Sequence, residues 1–493
     1  MRRKFITNLL LLLSLNFLIK PFWVFGIDRT VQNVVGPSEY GFYFALFNFA
    51  FILQIVLDMG ITNFNNRNIA QNNQLLTKHF SGIIILRFLF SLIYLILIMG
   101  IGWLIGYDQR QLFLLFIIGI NQFLLSLILY LRSNISALLL FKIDSFLSVL
   151  DRLFMILICS VLLWGNVPGF HFTIEWFVYA QTASYLATAL IALILVIGKT
   201  NHLKLNWNFS FFMMIIRKSA PYALLILLMS MYNRIDSLLI ERLLPDGNLQ
   251  AGIYASAFRL LDVANNMSGV LFAVLLLPIF SKMIKQKKDL SLMVKLPFTL
   301  LLLVSITVAA IAVFYGHEIM TFLYHRYINE SEADYLLRMD LSSKVFIILM
   351  FVYVATSITY VFGTLLTANG SLSLLNKIAA LGVIISLIMN FIFIPQLASQ
   401  GSAFAALSAQ WVTALLQVYF AIKILKIKIE NPYILKLFFF TISVFLLGFL
   451  SHYIPYGWKI QMAAMLIAVL FSSFGFNLIN LPAFLNILRH EDE

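Results

Sequence analysis

The stretch at residues 222–243, "YALLILLMSMYNRIDSLLIERL", opens as an unbroken apolar run and then carries Arg234 and Asp236. A charge deep in a bilayer costs several kcal/mol, so such a residue faces a protein interior, a water-filled cavity or another charge. Comparable apolar stretches recur from end to end. Hydrophobic residues make up 61% of the chain and charged residues only 11%, against about 25% charged in a soluble protein. The runs are too long and too continuously apolar for the short alternating strands of a membrane β-barrel. The fold class is therefore an all-α polytopic integral membrane protein.

The net charge of +13 sits mostly in short segments between apolar runs, where it speaks of topology rather than nucleic acid. A single cysteine, Cys159, excludes an intrachain disulfide framework or a cysteine metal site. "HEIMTFLYH", from His317 to His325, lacks the H-E-x-x-H spacing of a zinc protease. The sequence contains no Walker A loop, and no stretch between spans exceeds roughly thirty residues, too little for a soluble catalytic domain. We expect no enzyme activity, no cofactor and no metal. The opening "MRRKFITNLLLLLSLNFLIK" has the basic and apolar regions of a signal peptide, but no small-x-small cleavage site follows, so it reads as an uncleaved first span.

Fourteen spans are expected, near 6–29, 39–61, 80–106, 110–131, 142–165, 173–198, 217–243, 250–282, 292–315, 342–367, 372–395, 401–425, 432–454 and 459–481. Alternate segments between them, beginning with "MRRK" and including Arg67, Lys204, Lys428 and Arg489, hold 22 of the 34 Lys and Arg, and the opposite set holds seven. That bias places both termini in the cytoplasm. The longest opposite-side loop, about 316–341, is acidic; Trp103, Trp164, Trp176 and Trp458 fall at outer span ends as an interfacial belt.

"SEYGFYFALFN" (38–48) aligns with "LQAGIYASAFR" (249–259), matching Gly41 with Gly252, Tyr43 with Tyr254 and Phe47 with Phe258. Each segment opens the second span of a six-span block. Blocks with an even number of spans share an orientation, as in alternating-access transporters with an axis along the membrane normal. The expected organisation is residues 1–200 as a first lobe, 201–428 as a second, and 429–493 as two further spans with a tail.

Polar stripes mark several spans. The eighth shows Ala255, Arg259, Asp262, Asn266, Gly269 and Ala273 at three- and four-residue spacing; the seventh shows Ser230, Asn233, Arg234, Ser237 and Glu241. The tenth carries Tyr353, Ser357, Tyr360, Thr364 and Thr367, and the twelfth Gln410, Thr413 and Gln417. Lys20 follows Asn16 by four in the first span, and Asp58 follows Gln54 by four in the second. Helix packing accounts for small and hydroxyl residues. It accounts poorly for full cations, so a shared hydrated cavity is expected. Asp236 lies two residues from Arg234 and points away from it, whereas Arg259 and Asp262, three apart, can pair. Arg234, Arg259 and Lys20, with Asn233 and Asn266, are the candidate substrate-binding residues. A cationic patch calls for an anionic cargo, with phosphate or pyrophosphate as the natural partner. Asp28, Asp58, Asp236 and Asp262 are candidates for ion coupling or structural pairing, and they keep a cation exporter open. Arg87 and Arg152 are further intramembrane cations, and Asp151 beside Arg152 is expected near the cytoplasmic face.

"RIDSLLIERLLPDGNLQAGIYASAFRLLDV" resembles the seventh-to-eighth span region of Wzx-type polysaccharide flippases through Asp236, Gly252, Tyr254, Ala257 and Arg259. "VVGPSEYGFYFALFNF" and "LDMGITNFNNRNIAQ" look like the same family's second span, and "MNFIFIPQLASQGSAFAALSAQ" resembles its later junction at Asn390, Pro395 and Gly401. That junction reaches its glycine later than the family pattern does. The resemblance implies two six-helix lobes around a central cavity, within the larger group of multidrug exporters and the lipid II flippase. It further implies a bacterial inner membrane and an undecaprenyl-pyrophosphate-linked oligosaccharide as cargo, such as an O-antigen unit. Membrane lipid and polysaccharide polymerase machinery are the implied partners, and nucleic acid is not one.

Overall fold

The computed structural model describes residues 14–16, 18–62, 65–66, 69, 74–165, 169–200, 209–266, 270–327, 330–427 and 430–478. Arg2, Arg3, Lys4, Arg67, Lys204, Gly269, Lys428 and Arg489 lie outside them. The described residues form helices joined by short turns, without strands. Among the described residues ten helices are long and apolar enough to cross a membrane. They account for eleven of the expected spans, because the 54-residue helix Leu372–Leu425 carries the eleventh and twelfth. The second span and the described parts of the first and eighth fall on helical segments outside those ten; residues 6–13, 17 and 267–269 of those spans lie outside the described residues. The chain divides into two compact units, residues 1–255 and 256–493.

In the first unit, helical residues 18–22 run through a π-helical turn, Trp23–Asp28, into α1, Arg29–Ile52. Gly36 breaks α1 at φ 83°, a left-handed value that glycine adopts without a Cβ penalty, and Pro37 restarts the helix behind it. A 3₁₀ turn at Gln54–Leu57 follows. Then come α2 (Gln74–Leu104), α3 (Gln109–Ala137), α4 (Phe141–Trp164), α5 (Ile174–Ile197) and α6 (Phe209–Leu243). The Asp108 carboxylate accepts from Gln111 N at 2.7 Å and the Gln111 amide oxygen from Asp108 N at 2.9 Å, so a capping box starts α3. The core is aromatic. Trp23 stacks on Phe177 with centroids 6.0 Å apart, and Tyr43 meets the same ring edge-on at 5.4 Å. Pro221 lies near the start of α6. "PDG" turns that helix into α7, Gly247–Ala264, whose residues up to Ala255 pack in the first unit.

The second unit continues with α8 (Val270–Lys285), α9 (Ser291–Leu323), α10 (Glu332–Ala368), α11 (Leu372–Leu425), α12 (Asn431–Ser451) and α13 (Trp458–Gly475). The acidic loop is shorter than expected, because α9 runs on to Leu323 and α10 already begins at Glu332. A buried ion pair closes the loop: Arg338 Nε to Glu330 Oε1 at 2.7 Å, with Arg338 Nη2 also donating to the His325 carbonyl at 3.0 Å. The junction around Pro395 is a tight reversal. Ala398 takes φ 49°, Ser402 Oγ donates across the turn to Asn390 Oδ1 at 2.6 Å, and a Cβ on Gly401 would stand 2.2 Å from the Phe393 carbonyl oxygen. The late glycine thus serves close packing beside the turn rather than the turn itself.

Candidate functional site

Arg234 lies in the second half of α6 and is half-buried. Its Nη1 donates to Asn48 Oδ1 at 3.3 Å, and its guanidinium sits 4.8 Å from the centroid of the Phe51 ring. The Asn48 amide also donates to Ser237 Oγ at 2.8 Å, so one α1 side chain bridges two turns of α6. Asp236 points elsewhere, as the two-residue spacing requires. It is 1% exposed and accepts from the Tyr254 hydroxyl at 2.9 Å. Asn233 turns its amide back on its own helix, donating to the Met229 carbonyl at 2.8 Å.

The other carboxylates of the first unit are engaged. Asp28 is buried and accepts from the Tyr40 hydroxyl with both oxygens, at 2.9 and 3.0 Å, and from Gln32 at 3.2 Å. Asp58 pairs with Arg87 and also accepts from Thr62 N at 3.1 Å. Arg87, 1% exposed, lies 4.6 Å over the Tyr130 ring and donates to Ser126 Oγ at 2.9 Å. Arg87 is therefore a packed structural cation.

Lys20 lies one turn before the π-helical segment with its side chain exposed. In the second unit, Arg259 and Asp262 are half-buried. Asn266 is exposed and donates back to the Asp262 carbonyl at 2.8 Å. The stripe of the tenth span is buried at Tyr353 and Ser357 and half-buried at Tyr360, Thr364 and Thr367, and that of the twelfth is buried. Ser357, Gln410, Thr413 and Gln417 are all buried, and a Cβ on Gly363 of α10 would meet Gln417 Oε1 of α11 at 2.7 Å. Gln417 thus serves close packing of α11 on α10.

Asp151 and Arg152 are neighbours within α4. They are the eleventh and twelfth of the 24 residues of α4, roughly 15 Å along it at 1.5 Å per residue. Arg152 donates to the Tyr185 hydroxyl at 3.1 Å and lies 5.6 Å from the Trp23 ring centroid. Those aromatic partners come from two other helical segments and leave no trace in the local sequence.

One more contact bears on movement. A Cβ on Gly41 would stand 1.9 Å from the Asn248 carbonyl oxygen and 2.4 Å from Gly252 N; one on Gly252 would stand 1.9 Å from the Pro37 carbonyl oxygen. The glycines aligned by the repeat touch through their backbones. Beside them Arg110 holds Glu39 at 2.6 Å and Glu175 at 2.7 Å, while Gln111 donates to Glu241 at 2.8 Å. Arg242 covers the Tyr107 ring at 4.2 Å, and burial first, then the nearby Glu241, holds the Tyr107 phenol above its ordinary pKa.

A sequence model described as polysaccharide biosynthesis protein matches residues 8–284, more than half of the 493. The chain belongs to that family. Its fold is shared with the lipid II flippase MurJ in an inward closed conformation, at 15% identity and TM-score 0.72, covering 95% of this chain and 98% of that one. A multidrug resistance MATE family transporter of the MOP superfamily, facing inward, is similar at 14% identity and TM-score 0.61, covering 84% and 94%. A MOP superfamily transporter from Pyrococcus furiosus, described by the reverse polarity of its binding pocket, is similar at 13% identity and TM-score 0.62, covering 85% and 95%. No curated protein matches in sequence. These structural relatives are transporters and flippases, not enzymes, and this family member is a multi-pass membrane protein of their fold.

Proposed function

We propose that the protein flips an undecaprenyl-pyrophosphate-linked oligosaccharide, an O-antigen or other surface polysaccharide unit, from the cytoplasmic to the outer leaflet of a bacterial inner membrane. Both termini lie in the cytoplasm. The lobes 1–200 and 201–428 alternate access to a central cavity, and the two spans of 429–493 accompany them. Arg234, Arg259 and Lys20 hold the pyrophosphate, while Asn233 and Asn266 line its path. Polysaccharide polymerase machinery receives the product on the outer side.

One observation carries this choice of cargo over a cation. Three of the four carboxylates a cation exporter would present, Asp28, Asp58 and Asp236, are occupied by Tyr40 and Gln32, by Arg87, and by Tyr254, and the fourth is Asp262. Using those three for cargo means breaking a buried hydrogen bond or ion pair, whereas Lys20 is exposed. The inside-negative potential assists outward movement of an anion by about 2.3 kcal/mol per charge per 100 mV.

The test is transport by purified protein in liposomes, with a pyrophosphate-linked oligosaccharide as cargo, an imposed potential, and a cationic dye as control. Movement of the lipid-linked sugar that Arg234→Ala abolishes is the expected result. Dye export that survives Arg234→Ala makes the protein a drug exporter and the proposal wrong.

A further inference from the structure

Asn16 Nδ2 donates to Ser148 Oγ at 3.0 Å, fixing the face that the first helical segment turns toward α4. One turn further along each helix stand Lys20 and Arg152. The next residue on that face of the first segment is Trp23, and Arg152 lies over its ring. Two cations of neighbouring segments therefore share one face near mid-helix, where like charges repel strongly. Compensation is partial. Asp151 reaches Arg152 Nε at 3.8 Å and accepts from its backbone N at 2.8 Å. Arg132 pairs with Asp144 at 2.9 Å. Lys20, Arg132 and Arg152 set against Asp144 and Asp151 leave 3 − 2 = +1. Among the described residues Lys20 forms no ion pair.

The surroundings suit a flat, multiply charged anion rather than a simple counter-ion. Trp23, backed by Phe177, and Tyr185 give Arg152 a rigid aromatic floor, while Lys20 is a mobile point charge on an exposed stem. A fixed guanidinium fork beside a flexible ammonium is a common arrangement for phosphate groups.

We propose that Lys20 and Arg152 form an anion site for a phosphate or diphosphate group within the first unit, with Trp23 and Tyr185 as its floor and Asp151 holding Arg152 in place. The flippase reading supplies the identity of the ligand, a translocated diphosphate; the site itself rests on the juxtaposed cations.

The test uses the full chain in nanodiscs of zwitterionic lipid, with inorganic pyrophosphate as the probe and calorimetry as the readout. Wild type binds pyrophosphate; Lys20→Gln and Arg152→Gln each weaken binding by about tenfold or more. Lys20→Arg, which keeps the charge and guards against a folding defect, stays within about threefold of wild type, whereas Arg152→Lys, which keeps the charge but not the fork, falls between wild type and Arg152→Gln. Failure of wild type to bind, or unchanged binding in both Gln variants, overturns the site. In nanodiscs containing phosphatidylglycerol, undiminished pyrophosphate binding supports a site for cargo; displacement assigns it to bulk lipid headgroups and overturns that assignment. Flipping assays on the same preparations separate the two ideas. Wild type that flips lipid-linked sugar alongside equally active Gln variants sinks the site, and with it the part of Lys20 in holding the cargo, and leaves flipping itself and the role of Arg234 intact. Wild type that flips nothing, yet loses pyrophosphate binding in both variants, supports the site and sinks the reading.

Discussion

Gly41 of α1 and Gly252 of α7 touch without an intervening side chain: a Cβ on Gly41 would stand 2.4 Å from Gly252 N, and one on Gly252 1.9 Å from the Pro37 carbonyl oxygen. Neither clash can be relieved by rotating a side chain. Gly41→Ala and Gly252→Ala are therefore expected to open the crossing, and flipping falls by about tenfold or more. Ala45, one turn from Gly41 and fully buried, reports the change. Maleimide labelling of Ala45→Cys should accelerate in the Gly41→Ala background, with little interference from the buried native Cys159. Equal labelling and equal transport would show that the crossing is ordinary packing.

Arg234 separates charge from geometry. Arg234→Ala should reduce flipping by about tenfold or more, and Arg234→Lys by about threefold, since lysine keeps the charge but not the planar contact with Phe51. The residue is half-buried, so neither change should move the melting temperature by more than about 2 °C. A large loss of thermal stability in Arg234→Ala would mark it as structural instead.

Removing Asp58 strands Arg87, which is 1% exposed. Asp58→Ala should cost about 3–5 kcal/mol. Tyr40→Phe, which leaves Asp28 its bond from Gln32, should cost about 1–3 kcal/mol. Thermal melts of the purified variants check the order, and a melt of Asp58→Ala combined with Arg87→Met should sit above that of Asp58→Ala alone. The reverse order would mean that water reaches Arg87.

The Glu330–Arg338 pair closes the segment between α9 and α10. Glu330→Gln should leave the helices folded and admit protease at residues 324–331, read as a cleavage rate several-fold above wild type. Unchanged cleavage would show that Tyr327 and Tyr335, which flank the Arg338 guanidinium at 5.7 and 5.4 Å, hold the loop by themselves.

Much of this was readable in one dimension, and the boundary follows a physical line. Hydropathy marks helices because the bilayer forbids unpaired backbone, and the Arg234–Asp236 spacing separates two side chains by helix geometry alone. The alignment of Gly41 with Gly252 is a repeat signal of the same one-dimensional kind. What escaped was the partner from another helix. Tyr40 and Arg87 lie twelve and twenty-nine residues from the carboxylates they occupy. The aromatic partners of Arg152, Trp23 and Tyr185, are likewise distant in sequence. Asn233 and Asn266 read as ligand groups, yet each donates to the carbonyl four residues back, which a polar-stripe argument does not foresee.

Pro221 stands thirteen residues before Arg234 in the same helix, a lever arm of about 20 Å at 1.5 Å per residue. Proline removes a backbone hydrogen bond and is where helices bend. A ten-degree change of kink there would sweep Arg234 through about 3 Å. A displacement of that size exceeds any slack in a backbone-to-backbone crossing like that of Gly41 and Gly252. Pro221 and Arg234 are thus the fulcrum and the tip of one stiff rod, and a small angular change at the proline becomes a displacement large enough to break the bond from Arg234 to Asn48 of α1.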